Sequence, residues 1–218
     1  MARRTRLRGA SAPKESDLVV YARKTSSQDI ASKVGMRRQA LAEADPESAI
    51  FMPFSGYGEL GKLVPYPPGR IYGCDIKKAA ALHCRSAFPG SHMIRKAAEQ
   101  FPFPSDVRFG YADFDAYNNP FRAVMHFMKR ARFTEKVEVI LTVSIRIAIS
   151  RRRRRFSWRA MELEPRLNQR AAHEQLDKFR METEAWMQRY GGILRLHKIA
   201  GPADYFWFTC YPEKGEFA

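Results

Sequence analysis

Cysteine is scarce in this chain: Cys74, Cys84 and Cys210 are the only three, odd in number and far apart. With no Cys-x-x-Cys pair and no Cys/His cluster, a structural zinc or a disulfide framework is excluded and a reducing compartment is expected. The histidines His83, His92, His126, His173 and His197 show no ligand spacing, so no metal is expected. Long apolar runs are missing too. Nothing approaches the roughly 20 residues of a membrane helix, and no signal-peptide core is visible, so a membrane role is not expected and an intracellular place, cytoplasmic or nucleoid-associated, is. Internal repeats and long low-complexity segments are absent. Acids are in short supply, 23 against 38 lysines and arginines, for a net charge of +15. That balance favours a polyanionic partner, RNA or DNA, with phosphate contacts supplying affinity.

What is present suffices for one domain and an extension: 218 residues, 45% of them hydrophobic. Residues 1–16 are basic and polar, compatible with a nucleic-acid arm or a transit peptide. Asp17–Ala22 reads as a strand or a helix start. Ser27–Ala44 has helical spacing, with Ile30, Val34 and Leu41 on one side and Lys33, Arg37 and Arg38 on another. Ser27 can cap this helix and Pro46 stops it. Residues 1–48 therefore read as a basic, partly helical extension, either a substrate-gripping element or a structural cap, on a domain over 49–218.

The domain opens with AIFMPFSGYGELGKLVPYPPGRIYGCDI, residues 49–76. Ala49–Phe54 is an apolar run of strand length. Phe54-Ser55-Gly56-Tyr57-Gly58 is a glycine turn, Glu59–Leu63 has room for a short helix, and the prolines at 65, 67 and 68 break it. Arg70–Cys74 is a second strand ending in Asp75. Glycines let backbone turn sharply and lie close to a ligand. An acid at the second strand tip can accept hydrogen bonds from ribose hydroxyls, and the Gly58–Asp75 interval is close to the roughly 20 residues such a unit uses. The plainer reading is a glycine turn between two strands with a surface Asp.

Further along, Lys77–Phe88 reads as a helix with Ala79, Ala80, Leu82 and Ala87 against a sheet. Ser91–Ala98 is a third strand and Glu99–Pro104 a loop. Val107–Asp115 is a fourth strand that runs into Asp113-Phe114-Asp115-Ala116-Tyr117-Asn118-Asn119-Pro120. Phe121–Ala131 is a helix with Val124, Phe127 and Met128 inward. Glu135–Ser144, β-branched at its centre, is the fifth strand. Acid-tipped strands alternating with helices predict a parallel sheet with crossover helices. Leu167–Tyr190 is a long helix with Leu167, Ala171, Leu176, Phe179 and Trp186 as core candidates. Ile193–Ile199 and Tyr205–Tyr211 form a closing antiparallel pair. Between strand five and the long helix stand Arg151, Arg152, Arg153, Arg154 and Arg155, with Phe156 and Trp158 nearby. Arginines beside aromatics suit phosphate contact and base stacking; a solvated basic run is the plainer alternative.

This order resembles class I S-adenosylmethionine-dependent methyltransferases over residues 49–211. The resemblance implies a Rossmann-like α/β three-layer sandwich: a mostly parallel seven-stranded sheet with an antiparallel terminal hairpin, and the cofactor over the strand C-termini. It implies S-adenosylmethionine contacts at Phe54, Ser55, Gly56, Tyr57 and Gly58, at the ribose-binding Asp75, and at Ile76, Glu99 and Asp113. Ala97 stands where the family often holds the adenine with an Asp, which leaves that contact to backbone or to Glu99. The segment from Asp113 to Pro120 is similar to the Asp-x-Asp-Pro-Phe-Gly-Ser-Pro motif of tRNA guanine-N2 dimethyltransferases, and more distantly to the Asp/Asn-Pro-Pro-Tyr loop of amino-group methyltransferases. By that likeness Asp115 grips the target amine, Tyr117 stacks on the base and Asn118 helps orient the amine. Ala116 replaces the usual Pro, and Asn118-Asn119 replace small residues. For Asp113 and Asp115 the alternative is a polar strand end capping the next helix. No Cys sits at the fourth-strand tip, which argues against methylation of a pyrimidine carbon through a thiolate. The reading is a methyltransferase acting on an exocyclic amino group of a base, RNA ahead of DNA. The alternatives are a non-catalytic nucleic-acid-binding protein or methyltransferase partner that keeps the fold, and a methyltransferase for protein or small molecules.

Overall fold

Strand β1, Ala49–Pro53, is buried at every position, as a strand covered on both faces must be. In the computed structural model, residues 27–54, 56, 63–116, 120–143, 172–200 and 203–215 are described. Asp17–Ala22, Ser55, Tyr57, Gly58, Glu59, Tyr117, Asn118, Leu167, Ala171 and the run Arg151–Arg155 lie outside them, as does the side chain of Leu176.

Around β1 are β2 (Ile71–Asp75), β3 (His92–Arg95), β4 (Arg108–Asp115), β5 (Arg132–Val143), β6 (Gly192–Ala200) and β7 (Ala203–Cys210). They form one seven-stranded sheet in the order β3-β2-β1-β4-β5-β7-β6. The pairs from β3 to β5 are parallel, and β7 runs antiparallel to both β5 and β6. This is the mixed sheet with a terminal hairpin that the sequence predicts. The strand order reverses between β1 and β4, which opens a crevice at their carboxyl ends, the usual ligand position in such sheets.

Helices α1 (Ser27–Glu43) and α2 (Lys78–Ala87) cover one face; α3 (Phe121–Arg130) and α4 (Ala172–Gln188) cover the other. On the α3/α4 face, the Phe51 ring lies flat on Phe127 with centroids 5.2 Å apart. Phe101, Phe109 and Phe114 meet Phe51 at steeper angles, so offset and edge contacts add to burial. β1 and β2 approach closely because Gly73 lacks a side chain; a Cβ there would strike the Met52 carbonyl oxygen.

Several sequence expectations are corrected. β5 begins three residues before Glu135, because Arg132 and Phe133 already pair with Arg108 and Phe109. β3 has four residues, and Ala98–Gln100 forms a short 3-10 turn where a loop was expected. On α2 the buried stripe is Ala80, Ala81 and Cys84, and Leu82 is exposed; small residues let this helix lie close to the sheet. On α1 the inward stripe is Met36, Arg37, Ala40 and Ala44, packed with Ile50 and Met52 of the sheet. Arg37 is thus fully buried, while Arg38, grouped with it in the sequence, is exposed. Ile30, Val34 and Leu41 are only half-buried.

Phe51→Ala removes the ring on which the aromatic core converges. It is expected to cost about 3–5 kcal/mol of unfolding free energy, measured by urea denaturation; a loss below about 1 kcal/mol would contradict this account of the core.

Candidate active site

At the carboxyl end of β1 the chain turns through two left-handed residues, Phe54 (φ +59°) and Gly56 (φ +52°). For a residue with a Cβ this conformation costs about 1–2 kcal/mol, and at Phe54 it is held by an N–H bond to the Cys74 carbonyl. At the tip of β2 the Asp75 carboxylate accepts from the Gly56 N–H at 3.3 Å and from the Lys77 N–H at 2.7 Å. Two backbone donors therefore fix an acid beside the β1 turn. Ile76, next in the chain, is 66% exposed. An oriented acid, an apolar side chain in water and a left-handed glycine turn fit an adenosine-bearing group: the acid for ribose hydroxyls, the isoleucine for a flat base. Glu99 is exposed on the 3-10 turn after β3. The Ala97 carbonyl is occupied by the Gln100 N–H.

The tips of β4, β5 and β7 carry a second group. Their register places Asp115, Thr142 and Tyr205 in one row across three strands. Two residues back is a row of Asp113, Ile140 and Trp207, and further back one of Tyr111, Glu138 and Thr209. These rows face α1, and Arg37 reaches down from it. Its Nε donates to Asp113 Oδ2 at 2.6 Å, and one terminal nitrogen donates to Asp113 Oδ1 at 2.9 Å. The same nitrogen donates to Thr142 Oγ1 at 3.2 Å and lies 3.6 Å from Asp115 Oδ1. The Tyr66 hydroxyl donates to Asp113 Oδ2 at 3.0 Å, so in the Tyr66–Tyr111 pair Tyr111 is the donor. Deeper in, Glu138 accepts from Trp207 Nε1 and Thr209 Oγ1.

The two aspartates differ in environment. Burial pushes the Asp113 carboxyl above its usual value, opposed by the Arg37 guanidinium and the Tyr66 hydroxyl. Burial acts the same way on Asp115, but the charges of Arg37 and Lys33 outweigh it and, with the Thr142 hydroxyl, hold Asp115 below the usual carboxylate value. Asp115 is 34% exposed where Asp113 is 3% exposed, so Asp115 is the carboxylate that a ligand can reach. Lys33 lies 5.2 Å from the centroid of the Tyr205 ring. Burial works against its charge, but Asp115 and Tyr205 together raise its ammonium above the ordinary lysine value. Burial pushes the nearby Cys74 thiol up to about 12, which leaves it without thiolate character.

The structure thus brings together Phe54, Gly56, Asp75 and Ile76 on one side of the switch point and Asp115 on the other. Asp113 lies below the surface with both oxygens engaged by chain residues, and Glu99 stands apart on its turn. Sequence reading did not single out Tyr66, Thr142 and Tyr205, and it grouped Lys33 and Arg37 with Arg38 on the side of the helix away from Ile30, Val34 and Leu41. One signal was available: Lys33, Arg37, Ala40 and Ala44 follow i, i+4, i+7, i+11 spacing, and two alanines on such a stripe mark a helix that lies close to its neighbour.

This sheet order, with acids at the tips of β2 and β4, defines the class I methyltransferase fold. Among solved structures, the chain resembles the plantazolicin methyltransferase BpumL in complex with SAH and a pentazolic desmethylPZN analog, with TM-score 0.57, 10% identity and 92% of each chain covered. It also resembles HI0767 from Haemophilus influenzae, provisionally named a methylase (TM-score 0.51, 10% identity, 84% of this chain and 98% of that one). A third is yhhF from Escherichia coli, provisionally named a methyltransferase (TM-score 0.50, 11% identity, 81% and 86%). At these identities the shared property is the fold. No protein-family model and no curated protein matches the chain.

Removing Arg37 leaves Asp113 buried without its cation. Arg37→Met is expected to cost about 3–5 kcal/mol in urea denaturation, and adding Asp113→Leu to recover much of that loss; equal stability of the single variant and the wild type would refute the account. Because the folded state holds Asp115 below its unfolded value, the stability it lends is complete above the unfolded carboxylate range and is lost as pH falls through the folded value. Asp115→Asn is therefore expected to flatten the acid limb of a thermal-unfolding series between about pH 7 and pH 3; a limb as steep as in the wild type would contradict the assignment.

Proposed function

We propose that this protein is an S-adenosylmethionine-dependent methyltransferase that acts on an exocyclic amino group of a nucleic-acid base, with RNA ahead of DNA. The observation that carries this reading is Asp115: a partly exposed carboxylate, kept ionised by two cations, at the tip of the strand across the switch point from Asp75. Phe54, Gly56, Asp75 and Ile76 would hold the cofactor, with Ser55, Tyr57, Gly58 and Glu99 assigned to it by family likeness. When bound, S-adenosylmethionine supplies a methyl group on a sulfonium, open to in-line displacement. Asp115 accepts an N–H bond from the acceptor amine and so aims the nitrogen lone pair; positioning and charge are the enzyme's main contributions to such a step. The resemblance supplies Tyr117 for stacking on the base and Asn118 for orienting the amine; the arginine run Arg151–Arg155, beside aromatics, suits phosphates, in keeping with a net charge of +15. Among the described residues, no helix is long and apolar enough to cross a membrane. A nucleic-acid substrate would place the protein in the cytoplasm or at the nucleoid; of residues 1–48, α1 serves as a structural cap on the sheet. Asp113, fully engaged by Arg37 and Tyr66, would act on the site from below.

The second reading is a small-molecule or peptide acceptor. It is favoured by the likeness over 92% of both chains to BpumL, which is named for plantazolicin. A non-catalytic binding protein of the same fold remains the third; Ala97 and Ala116, in place of the family's acid and proline, speak for it.

The test is transfer of radiolabelled methyl from S-adenosylmethionine to total RNA, double-stranded DNA and a protein extract in parallel. Label is expected in RNA, lowered about 100-fold or more in Asp115→Ala, with cofactor affinity lowered about tenfold in Asp75→Ala. Label in the protein extract alone would support the second reading. Failure to bind S-adenosylmethionine would overturn the enzyme reading.

A further inference from the structure

Arg37 and Lys33 lie outside the crevice, yet both act on the acid within it. The Arg37 guanidinium has no exposure to water, and its geometry is fixed by the fork on Asp113. From that anchor one nitrogen reaches both Thr142 Oγ1 and Asp115 Oδ1. The Thr142 hydroxyl accepts from Arg37 and stands opposite Asp115 in the β4–β5 register, so its single proton is free for that carboxylate; the charges of Arg37 and Lys33 lower the acid's value most, and Thr142 adds to them. Lys33, one turn earlier on α1, adds the second cation and is itself held at the Tyr205 ring. Among the described residues, the groups that face Asp115 are thus Lys33 and Arg37 from α1, Asp113 on its own strand, Thr142 from β5 and Tyr205 from β7. Among these described residues two cations balance two carboxylates.

We infer that α1 is a positioning element: Arg37, directly and through Thr142, together with Lys33 holds Asp115 as an oriented anion at the acceptor end of the crevice. This rests on the reading of Asp115 as the acid that grips the acceptor amine. An anion so held is a good hydrogen-bond acceptor and a poor proton sink. As the new N–C bond forms and the C–S bond breaks, the proton on nitrogen passes to water rather than staying on Asp115.

The experiment is a carbon-13 titration of the aspartate carboxyls in the full-length protein, with Asp115→Asn identifying the signal. Thr142→Val, nearly isosteric, and Lys33→Met are each expected to move the Asp115 midpoint upward, and Thr142→Ser to return it towards the wild type. Midpoints unmoved in Thr142→Val and Lys33→Met would overturn the inference whatever the substrate. With total RNA as acceptor, Thr142→Val is expected to lower kcat on the order of tenfold, with KM for S-adenosylmethionine unchanged, and Thr142→Ser to restore it. Turnover lost in Asp115→Ala but intact in Thr142→Val would overturn the positioning role. Turnover intact in both would instead overturn the reading of Asp115 as the gripping acid.

Discussion

A guanidinium buried out of reach of water constrains everything around it. Arg37 must find anionic and hydroxyl partners or its burial would be prohibitive, and it finds them on β4 and β5 at Asp113, Asp115 and Thr142. That requirement fixes the rotation of α1 about its axis, its height above the sheet and the depth at which β4 and β5 end their rows. A neutral side chain at position 37 would let the helix slide; a forked donor with two anchored prongs does not.

The two faces of the sheet do different work. The α3/α4 face is a mass of interlocking rings with Phe51 at its centre, and the polar His126 joins them at its edge, against Phe103. The α1 face carries tyrosines, aspartates, a glutamate and threonines in register rows. Apolar packing on one side supplies the rigidity that a polar network on the other needs if its distances are to be kept. The left-handed Phe54 fits the same pattern: local strain is tolerated at a site because the surrounding structure over-determines it.

Much of the fold was legible in the sequence because strands and helices announce themselves by periodicity and by glycine and proline punctuation. The succession of strands up to the final hairpin could be read from Ala49 and from the two acid-tipped strands; the hairpin itself pairs closer to its turn than the sequence suggests, with Ala200 opposite Ala203. Asp75 and Asp115 could be read because each ends an apolar strand. Arg37 could not, since adjacent arginines look alike in a sequence: Arg37 is buried while Arg38 is exposed and donates to the Leu63 carbonyl. The partners of Asp113 come from positions 76 and 47 residues away, and no local pattern records such distant pairings. The inward side of α2 was misplaced for another reason: alanines and a cysteine make a weaker hydrophobic stripe than the leucine that in fact faces water.

The balance of charge at the strand tips bears on which amine suits the site. Methyl transfer needs a nitrogen with a free lone pair. An alkyl amine such as lysine's is protonated near neutral pH and would have to be attracted and then deprotonated. Asp115 offers little for either task, because Lys33 and Arg37 already neutralise the carboxylate pair and hold Asp115 below the usual value. The exocyclic amine of a base is uncharged and asks only for an acceptor to aim its N–H. A carboxylate that is ionised, oriented and electrostatically satisfied meets that need, which is why the geometry of this network supports a base amine over a protein lysine.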